Sequence, residues 1–435
     1  VQERATSMDT SVGPALHSGT GRAEPVDAVT GARDSSRGVS AFDRWIATRL
    51  QQRIRPAAVR LVLWNGQPTA AAPAQAIGDL FIRDRRTLLG LVVNPDLVFG
   101  EAYMTGRIEV RGRLEDVVER LTGLSLPRSS LRNRIAVALG SRNTRRAGRR
   151  NVHHHYDLGN DFYATWLDSQ LVYTCAYYPD PSTPLDAAQV AKLDLVCRKL
   201  QIRPGDRVIE AGCGWGALAL HMAREYGARV RAFNVSREQL TYARERAARE
   251  GLSDRVEFID DDYRNVTGTC DVFVSVGMLE HVGLRQYQAL ADVIARTLRR
   301  DGGRGLLHFI GRDVPVPLNA WIRRRIFPGA FPPTLDQVAT RVLAPAGMSI
   351  VDVENLRLHY ARTLEHWIER FAAARDQARA RFSEEFARAW ELYLAGSRAA
   401  FVTGWLQLFQ VVFAPAESAP PTWTRAAIYQ TGAAE

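Results

Sequence analysis

The chain has 435 residues, of which 46% are hydrophobic and 24% charged, a composition typical of globular proteins with more than one domain. Its formal net charge of +10 favours an anionic partner such as nucleic acid, an acidic membrane surface or an acidic substrate. The sequence has no apolar run long enough to span a bilayer, no apolar signal-peptide core at its start and no cysteine spacing typical of zinc sites, so any membrane contact should be peripheral.

Three segments are predicted before residue 151. Residues 1–38 are rich in Ser, Thr, Gly, Ala, Asp and Arg without periodicity, which predicts disorder. An amphipathic stretch from Ala41 and strand-like pieces that follow it predict a small α+β domain over 39–125. Residues 126–150 are predicted to form a basic linker, either a solvated tether or a strip that binds phosphate.

Helical and strand-like patterns alternate from residue 185 onwards. This alternation predicts a doubly wound, Rossmann-like α/β domain, which we place over 151–415, with a short tail over 416–435. Residues 361–410 are predicted to form long helices. Ligands of such folds lie at the carboxyl ends of the strands.

The stretch VIEAGCGWGALAL (208–220) predicts a strand, a glycine-rich turn and a helix. Its glycine spacing is one residue short of the dinucleotide fingerprint, and no Lys follows as in a phosphate-binding loop. Glu210 would repel a phosphate but suits an ammonium group. S-adenosylmethionine carries both an amine and a cationic sulfonium, so we interpret the turn as its binding site; the alternative is a tight turn without a ligand.

Two later strand ends extend this interpretation. Asn234 and Gln239 offer amide groups that suit a ribose. Asp262 and Tyr263 follow the next strand and offer a polar group and an aromatic face that suit an adenine.

Six motifs follow one another in the second part of the chain: HYDLGNDFYATWLD (155–168), LVYTCAYY (171–178), EAGCGWGALAL (210–220), SVGMLEHVG (275–283), LLHFIG (306–311) and IFPGAFPP (326–333). Together they resemble the cyclopropane-fatty-acyl-phospholipid synthase family, which includes the mycolic acid cyclopropane synthases. The resemblance covers about residues 150–413, and VFGEAYMTGRIEV (98–110) resembles the small N-terminal domain of the phospholipid-acting branch.

The resemblance implies a class I methyltransferase domain and assigns roles to its residues. The implied cofactor contacts, with Glu210 and Asp262 added from the residue pattern, are Tyr173, Thr174, Glu210, Gly212, Gly214, Asn234, Gln239, Asp262, Tyr263 and Arg264. The resemblance also implies a bicarbonate ion beside the transferred methyl group, held by the catalytic residues Cys175, Glu280, His308, Ile310 and Tyr360. Three positions depart from the family pattern: Asn234 stands for Thr, Ser397 for Cys and Ala330 for Gly.

The implied reaction transfers a methylene group from S-adenosylmethionine to the cis double bond of an unsaturated phospholipid chain and forms a cyclopropane ring. Bicarbonate would act as the general base. A related alternative stops at a methyl-branched or exomethylene chain, and a more distant one is a small-amine N-methyltransferase on the same fold. Binding of nucleic acid through the arginines at 142–150 is not favoured, because no aromatic and basic platform accompanies them.

The implied substrate lies in a bilayer, so we expect a cytoplasmic enzyme peripherally associated with the inner face of an anionic membrane. The segment AWIRRRIFPGAFPP (320–333) mixes aromatic residues with arginines and predicts a lip that dips into the surface, or else an ordinary cap over the site. The N-terminal domain is expected either to contact lipid or to form a homodimer. Candidate aromatic faces for a passing carbocation are Tyr177, Tyr178, Phe309 and Trp321.

Overall fold

The computed structural model describes residues 38–124, 158–418 and 424–429. Within these residues the strands form a small sheet near the amino terminus and a large sheet in the remainder. The predicted disordered segment 1–38, apart from Gly38, and the predicted linker 126–150 lie outside the described residues. The boundaries predicted for the segments of the chain therefore stay predictions.

The small sheet has three strands among the described residues, namely β1 (Val59–Val62), β2 (Gly78–Ile82) and β3 (Ile108–Arg111). Strand β2 lies in the centre, parallel to β1 and antiparallel to β3. The α-helices of this part of the chain are Ala41–Ile54, Arg85–Val93, Pro95–Met104 and Leu114–Thr122.

The large sheet has seven strands in the order β6–β5–β4–β7–β8–β10–β9 among the described residues. Their bounds are Arg207–Ala211 (β4), Arg229–Asn234 (β5), Val256–Asp260 (β6), Val272–Val276 (β7), Arg304–Gly311 (β8), Met348–Asn355 (β9) and Gln407–Pro415 (β10). Strands β4 to β8 pair in parallel, and β10 is antiparallel to both of its neighbours. This is the doubly wound arrangement that the alternating pattern predicts.

Helices cover both faces of the large sheet. No helix of the described residues combines the length and the hydropathy that a membrane-spanning segment needs. The α-helices are Asn160–Ala164, Leu185–Lys199, Ala217–Tyr226, Arg237–Arg249, Leu279–Val282, Tyr287–Thr297, Ala320–Arg325, Leu335–Val338, Arg357–Arg381, Glu384–Val402 and Ala426–Tyr429.

The prediction of long helices over 361–410 is wrong at its carboxyl end. Helix Glu384–Val402 stops before Gly404, which has a φ of +82°, and 407–415 is strand β10, buried along its whole length. A short apolar run such as LQLFQVVF has no period that separates a buried strand from a buried helix. The enclosed position between β8 and β9 decides in favour of the strand.

The N-terminal part shares one hydrophobic core with the helices that follow the catalytic motifs. The indole of Trp321 packs where a side chain at Gly100 would have to lie, since a Cβ there would be only 2.2 Å from the ring. Arg388 donates to the carbonyl oxygens of Tyr103 and Ile108 at 2.6 and 3.0 Å. The small sheet is thus joined to the large unit by apolar packing and by partly buried hydrogen bonds.

Helix Ala217–Tyr226 begins at Gly216, which has a φ of +83° and lies against the ring of Phe258. Gly216→Ala should lower the free energy of unfolding by about 2–4 kcal/mol, because a Cβ would lie 2.6 Å from that ring and would add overpacking to left-handed strain. Urea denaturation followed by circular dichroism measures the loss.

The matched control is Gly205→Ala, which has the same φ of +83° but open space around the added Cβ. It should lose only about 1–2 kcal/mol, the strain alone. Equal losses in the two variants would contradict the packing argument.

Candidate functional site

One cavity lies at the carboxyl ends of β4, β5, β6 and β7, where a doubly wound sheet binds its ligands. It brings together all ten residues predicted to contact the cofactor, and their binding role stays a prediction. These residues are Tyr173, Thr174, Glu210, Gly212, Gly214, Asn234, Gln239, Asp262, Tyr263 and Arg264.

The glycine turn after β4 forms the floor of this cavity. Gly212 and Gly214 have φ angles of +88° and +53°, which favour glycine. A Cβ at Gly212 would lie 3.0 Å from the Cβ of Met278, which also lines the cavity, whereas Gly214 faces open space. The turn therefore keeps the cavity wide at Gly214 and closes tightly on Met278 at Gly212.

Glu210 has a buried carboxyl group near the end of β4, and its Oε2 has no hydrogen-bond partner among the described residues. Burial raises its pKa to about 8, although the positive charge of Lys192 acts in the opposite direction. A buried carboxyl group without a full set of partners is suited to receive a cationic ligand. This is the chemistry that the sequence predicts for Glu210.

Lys192 lines the cavity but belongs to none of the sequence motifs. Its Nζ donates to Oγ1 of Thr174 at 3.0 Å. Burial lowers the pKa of its ammonium group to about 8. The composition alone could have drawn attention to this residue, since Lys192 and Lys199 are the two lysines of an arginine-rich chain. The structure shows that both are almost fully buried.

Asn234 and Gln239, the predicted ribose contacts, bond to each other. Nδ2 of Asn234 donates to Oε1 of Gln239 at 2.8 Å and to the carbonyl oxygen of Gly214 at 3.1 Å. Its Oδ1 accepts from the backbone N–H of Val235. Asn234 thus joins the end of β5 to the glycine turn, and this is a structural task beside any contact with a ligand.

Tyr263 is held beside the cavity by the residues on either side of it. Arg264 donates to both carboxylate oxygens of Asp262 at 2.7 Å. Its guanidinium carbon lies 5.3 Å from the centre of the Tyr263 ring. Because both carboxylate oxygens of Asp262 accept hydrogen bonds from Arg264, Asp262 stabilises the turn that contains Tyr263 and Arg264.

The five predicted catalytic residues do not line this cavity, but Glu280 and His308 adjoin residues that do. The backbone N–H of Gly277, a lining residue, donates to the carbonyl oxygen of His308 at 2.9 Å. Glu280 stands between the lining residues Met278 and His281. The structure therefore joins the cofactor set and the catalytic set along β7 and β8.

Within the part of the chain that the structure describes, Glu280 and His308 each have one buried polar atom without a hydrogen-bond partner, Oε2 of Glu280 and Nε2 of His308. Oε1 of Glu280 accepts from the backbone N–H of Ile310. Nδ1 of His308 lies 3.1 Å from Nε2 of Gln410. Because His308 and Ile310 alternate along β8, their side chains share one face of the sheet, and the carboxyl group of Glu280 meets the same strand at the backbone of Ile310.

Burial sets the protonation of these two groups. It raises the pKa of Glu280 to about 7 and, together with the charges of Lys192 and Lys199, it holds the pKa of His308 well below its usual value. A neutral imidazole and a carboxyl group near its midpoint can donate hydrogen bonds to a small oxyanion. The two atoms that lack partners among the described residues therefore fit bicarbonate. Ile310, which the resemblance also gave to that ion, has its backbone N–H engaged by Glu280.

Cys175 and Tyr360 meet at Leu356. The thiol of Cys175 lies 3.9 Å from the carbonyl oxygen of Leu356, and burial raises its pKa well above the usual value. The N–H of Tyr360 donates to the same carbonyl oxygen at 3.2 Å. The Tyr360 ring stacks on Phe401 with their centres 4.4 Å apart, so both residues lie in apolar surroundings.

The segment predicted as a surface lip, 320–333, turns its apolar side chains inwards. Trp321, Ile326 and Phe331 are buried, and the N–H of Phe331 donates to the carbonyl oxygen of Glu280 at 2.8 Å. The segment therefore covers the site as a cap, because burial of its large apolar groups is more favourable in free energy than their exposure to solvent.

Phe309 also points away from the predicted site. It packs on Phe409 with ring centres 5.7 Å apart, on the face of β8 opposite to His308. Of the four aromatic candidates, Trp321 lies against Gly100, and Tyr177 stacks on His359 at 4.9 Å.

Comparison with known proteins gives the family. A family model described as mycolic acid cyclopropane synthetase matches residues 143–411, and a model of a domain of unknown function matches residues 47–131. The first match covers more than half of the chain, so the chain belongs to the mycolic acid cyclopropane synthetase family.

Relatives agree with this assignment. The chain is 35% identical to a probable fatty acid methyltransferase of Pseudomonas putida over 86% of its own length and 96% of the relative. It is 40% identical to the cyclopropane-fatty-acyl-phospholipid synthase of Escherichia coli K12 over 60% of its length and 66% of that protein.

A solved structure gives the cofactor. The mycolic acid cyclopropane synthase CmaA1 in complex with SAH and CTAB has a TM-score of 0.58 and 30% identity, and it covers 61% of this chain and 97% of its own. The chain is therefore an S-adenosylmethionine-dependent methyltransferase with the class I fold, which confirms the predicted fold class.

Binding of S-adenosylmethionine at about pH 6.5 should release up to about one proton. Glu210 has a pKa of about 8 and is therefore largely protonated at that pH, and a cationic ligand lowers this pKa by favouring the carboxylate. Calorimetric titrations in two buffers with different ionisation enthalpies measure the release. Glu210→Gln should remove it, and a binding enthalpy independent of buffer in the wild-type protein would contradict the pairing.

Proposed function

We propose that this enzyme transfers a methylene group from S-adenosylmethionine to the cis double bond of unsaturated phospholipid acyl chains and forms a cyclopropane ring. The observation that carries the proposal is that, among the described residues, Oε2 of Glu280 and Nε2 of His308 are buried without a hydrogen-bond partner, and that both residues adjoin residues lining the cofactor cavity. Buried polar atoms are normally paired. Because burial keeps the carboxyl group of Glu280 partly protonated and the imidazole of His308 neutral, both groups can donate a hydrogen bond to a small bound anion.

The proposed reaction makes two demands on the protein. When bound, S-adenosylmethionine supplies an electrophilic methyl group; the π electrons of the alkene form the new C–C bond, and the electron pair of the broken C–S bond stays on sulfur. The acyl chain then carries a carbocation. One proton must leave the new methyl group so that the electrons of its C–H bond close the three-membered ring.

Removal of this proton requires a base that tolerates an apolar site. When bound, bicarbonate supplies an oxygen of suitable basicity for general base catalysis. Glu280 and His308 would hold it through Oε2 and Nε2, and Cys175 and Tyr360 would border it. With a pKa near 7, the carboxyl group of Glu280 is protonated often enough at neutral pH to donate a hydrogen bond to an anion.

The carbocation must also be kept from water. Ile310 and Tyr360 belong to the largest apolar cluster, which also contains Trp367 and Phe401. The edge of the Trp367 ring system meets the Tyr360 ring at 6.0 Å. Aromatic faces stabilise a nearby cation, so these rings suit the acyl chain better than a hydrophilic amine.

A second candidate is a methyltransferase that leaves a methyl-branched or exomethylene chain. It is favoured by the Pseudomonas putida relative, named a probable fatty acid methyltransferase, whose match spans 86% of this chain. Both candidates need an acyl chain, a methyl donor and a base. They differ in the carbon from which the proton leaves.

Product analysis tests the proposal. Purified enzyme, labelled S-adenosylmethionine, bicarbonate and vesicles of cis-unsaturated phosphatidylglycerol should give acyl chains that gain one CH2 group and take up no hydrogen on mild catalytic hydrogenation. A product that takes up one H2 indicates the exomethylene or branched alkene. No methyl transfer to the vesicles would refute both acyl-chain candidates.

Glu280→Ala and His308→Ala should each lower turnover by about 100-fold or more, the usual effect of losing acid–base catalysis. Both should bind S-adenosylhomocysteine within about threefold of wild type, because neither residue lines the cofactor cavity. Glu245→Ala, on the exposed face of helix Arg237–Arg249, is the matched control. Wild-type turnover in either site variant would disprove the assignment of the base site.

We further propose that helix Ala41–Ile54 docks on an anionic bilayer. Its outer face carries Phe42 and Trp45, each more than half exposed and stacked at 6.1 Å, and Arg49 lies over the Trp45 ring. Exposed aromatic rings with neighbouring arginines are typical of helices that lie in a membrane interface. The excess of positive charge in the chain complements anionic lipid headgroups.

Phe42→Ser combined with Trp45→Ser should weaken binding to phosphatidylglycerol vesicles by about tenfold or more, because two aromatic anchors are lost. Vesicle co-sedimentation at a fixed salt concentration measures this. The control is Val93→Ser, which changes an exposed apolar residue on a different helix. Equal binding by the double variant and the control would contradict docking through this helix.

A further inference from the structure

A polar row crosses three neighbouring strands behind His308. Gln410 on β10 lies opposite His308 on β8 and, on its other side, opposite Glu354 on β9. Oε1 of Gln410 accepts from Nζ of Lys199 at 2.7 Å, and Lys199 forms an ion pair with Glu354. The row therefore runs from Glu354 through Lys199 and Gln410 to the imidazole of His308.

The interior position of this row is energetically unfavourable in itself. Gln410 and Lys199 are almost fully buried, and Gln410 stands between Leu408 and Val412 on its face of β10, both of them buried. Burial of an amide and an ammonium group requires compensating hydrogen bonds. An apolar side chain at 410 would fill the same space without that requirement, so the fold alone does not explain the glutamine.

The hydrogen-bond inventory fixes the orientation of the amide. The ammonium group of Lys199 has three donors and no lone pair, so it must meet the oxygen of Gln410. The NH2 group of Gln410 then faces Nδ1 of His308, 3.1 Å away. A donor on that side requires a lone pair on Nδ1, so the proton of the neutral ring is on Nε2.

We propose that Gln410 and Lys199 are positioning residues that hold His308 in the tautomer with its proton on Nε2, directed at the anion-binding position. This inference rests on the proposed function, since it gives the N–H a task there. An Nε2–H donates to an oxygen of the bound base and orients it. The opposite tautomer would direct a lone pair at the anion and repel it.

The electrostatics of the row support a neutral ring. Burial and the positive charges of Lys192 and Lys199 hold the pKa of His308 well below its usual value. On the far side, Glu354 is partly exposed and balances the charge of Lys199. The row therefore suits a hydrogen-bond donor, and it does not suit an imidazolium that would itself give up a proton.

The tautomer is measured directly on the full-length protein. Long-range nitrogen–proton correlation spectra of protein labelled with nitrogen-15 histidine report which ring nitrogen of each of the nine histidines carries hydrogen. The signals lost in His308→Asn assign His308. The expected result is one neutral ring with hydrogen on Nε2; hydrogen on Nδ1, a mixture or a charged ring would overturn the proposal.

Gln410→Glu should favour a proton on Nδ1 of His308, because a carboxylate can accept hydrogen bonds both from Lys199 and from that Nδ1–H group. His308 should change to the Nδ1–H tautomer, and kcat should fall by about 10–100-fold, as for other changes behind a functional histidine. The affinity for S-adenosylhomocysteine should stay within about twofold. An unchanged tautomer or an unchanged kcat in this variant would contradict the positioning role.

Gln410→Met and Gln407→Met form a matched pair. Both remove a buried amide from β10, but Gln407 bonds to Asp313 and Asn355 instead of His308. Gln410→Met should populate both tautomers and lower kcat, whereas Gln407→Met should keep the wild-type tautomer and a kcat within about threefold. Equal losses in kcat would indicate a structural role only.

These experiments separate an error in the proposed positioning role of Gln410 and Lys199 from an error in the proposed function. If turnover of the wild-type enzyme does not depend on added bicarbonate, the proposed base is wrong, while the tautomer and its change in Gln410→Glu still test the row by themselves. If bicarbonate is required but His308 carries hydrogen on Nδ1, the base stands and the positioning row is refuted.

Discussion

Exclusion of water from a few ionisable side chains is the constraint on which the rest of this structure depends. Glu210, Lys192, Glu280 and His308 are all nearly inaccessible, and burial moves the pKa of each towards its neutral form. In water at neutral pH, Glu210, Lys192 and Glu280 would be fully charged. In the protein interior the free energy of each charged form depends on the neighbouring charges and hydrogen-bond partners. A ligand that supplies the missing partners is therefore bound more tightly.

The antiparallel strand β10 makes that environment. It lies between β8 and β9 and is buried along its length. Strand β8 is therefore an interior strand, and β10 shields the side of His308 that faces it from solvent. The same strand supplies Gln410, opposite His308. One element of the fold thus completes the hydrophobic cover and also determines the hydrogen bonding of a functional side chain.

Much of the fold could be predicted from the sequence, because glycine turns and strand ends leave local signals. The turn at Gly212 and the polar residues after β5 and β6 fall in one cavity, as their positions at strand ends require. Strand β10 and the inward direction of Trp321 could not be predicted from local pattern, since both depend on what packs against them. Lys192 was missed because no motif contains it, and only its rarity in an arginine-rich chain marks it. The row behind His308 joins strands that are distant in sequence and has no local signature.

The contact between Gly100 and Trp321 has a consequence for how the chain holds together. Two sequence families meet in this protein, with matches at 47–131 and 143–411, and this suggests two modules that could be separated. Yet the indole from the second module sits in the place of a side chain in the first, and Phe327, six residues further on, touches His281 at the cofactor cavity with ring centres 5.8 Å apart. Removal of the amino-terminal module would expose the indole of Trp321 next to the cap, so part of the apolar cover of the second module comes from the first.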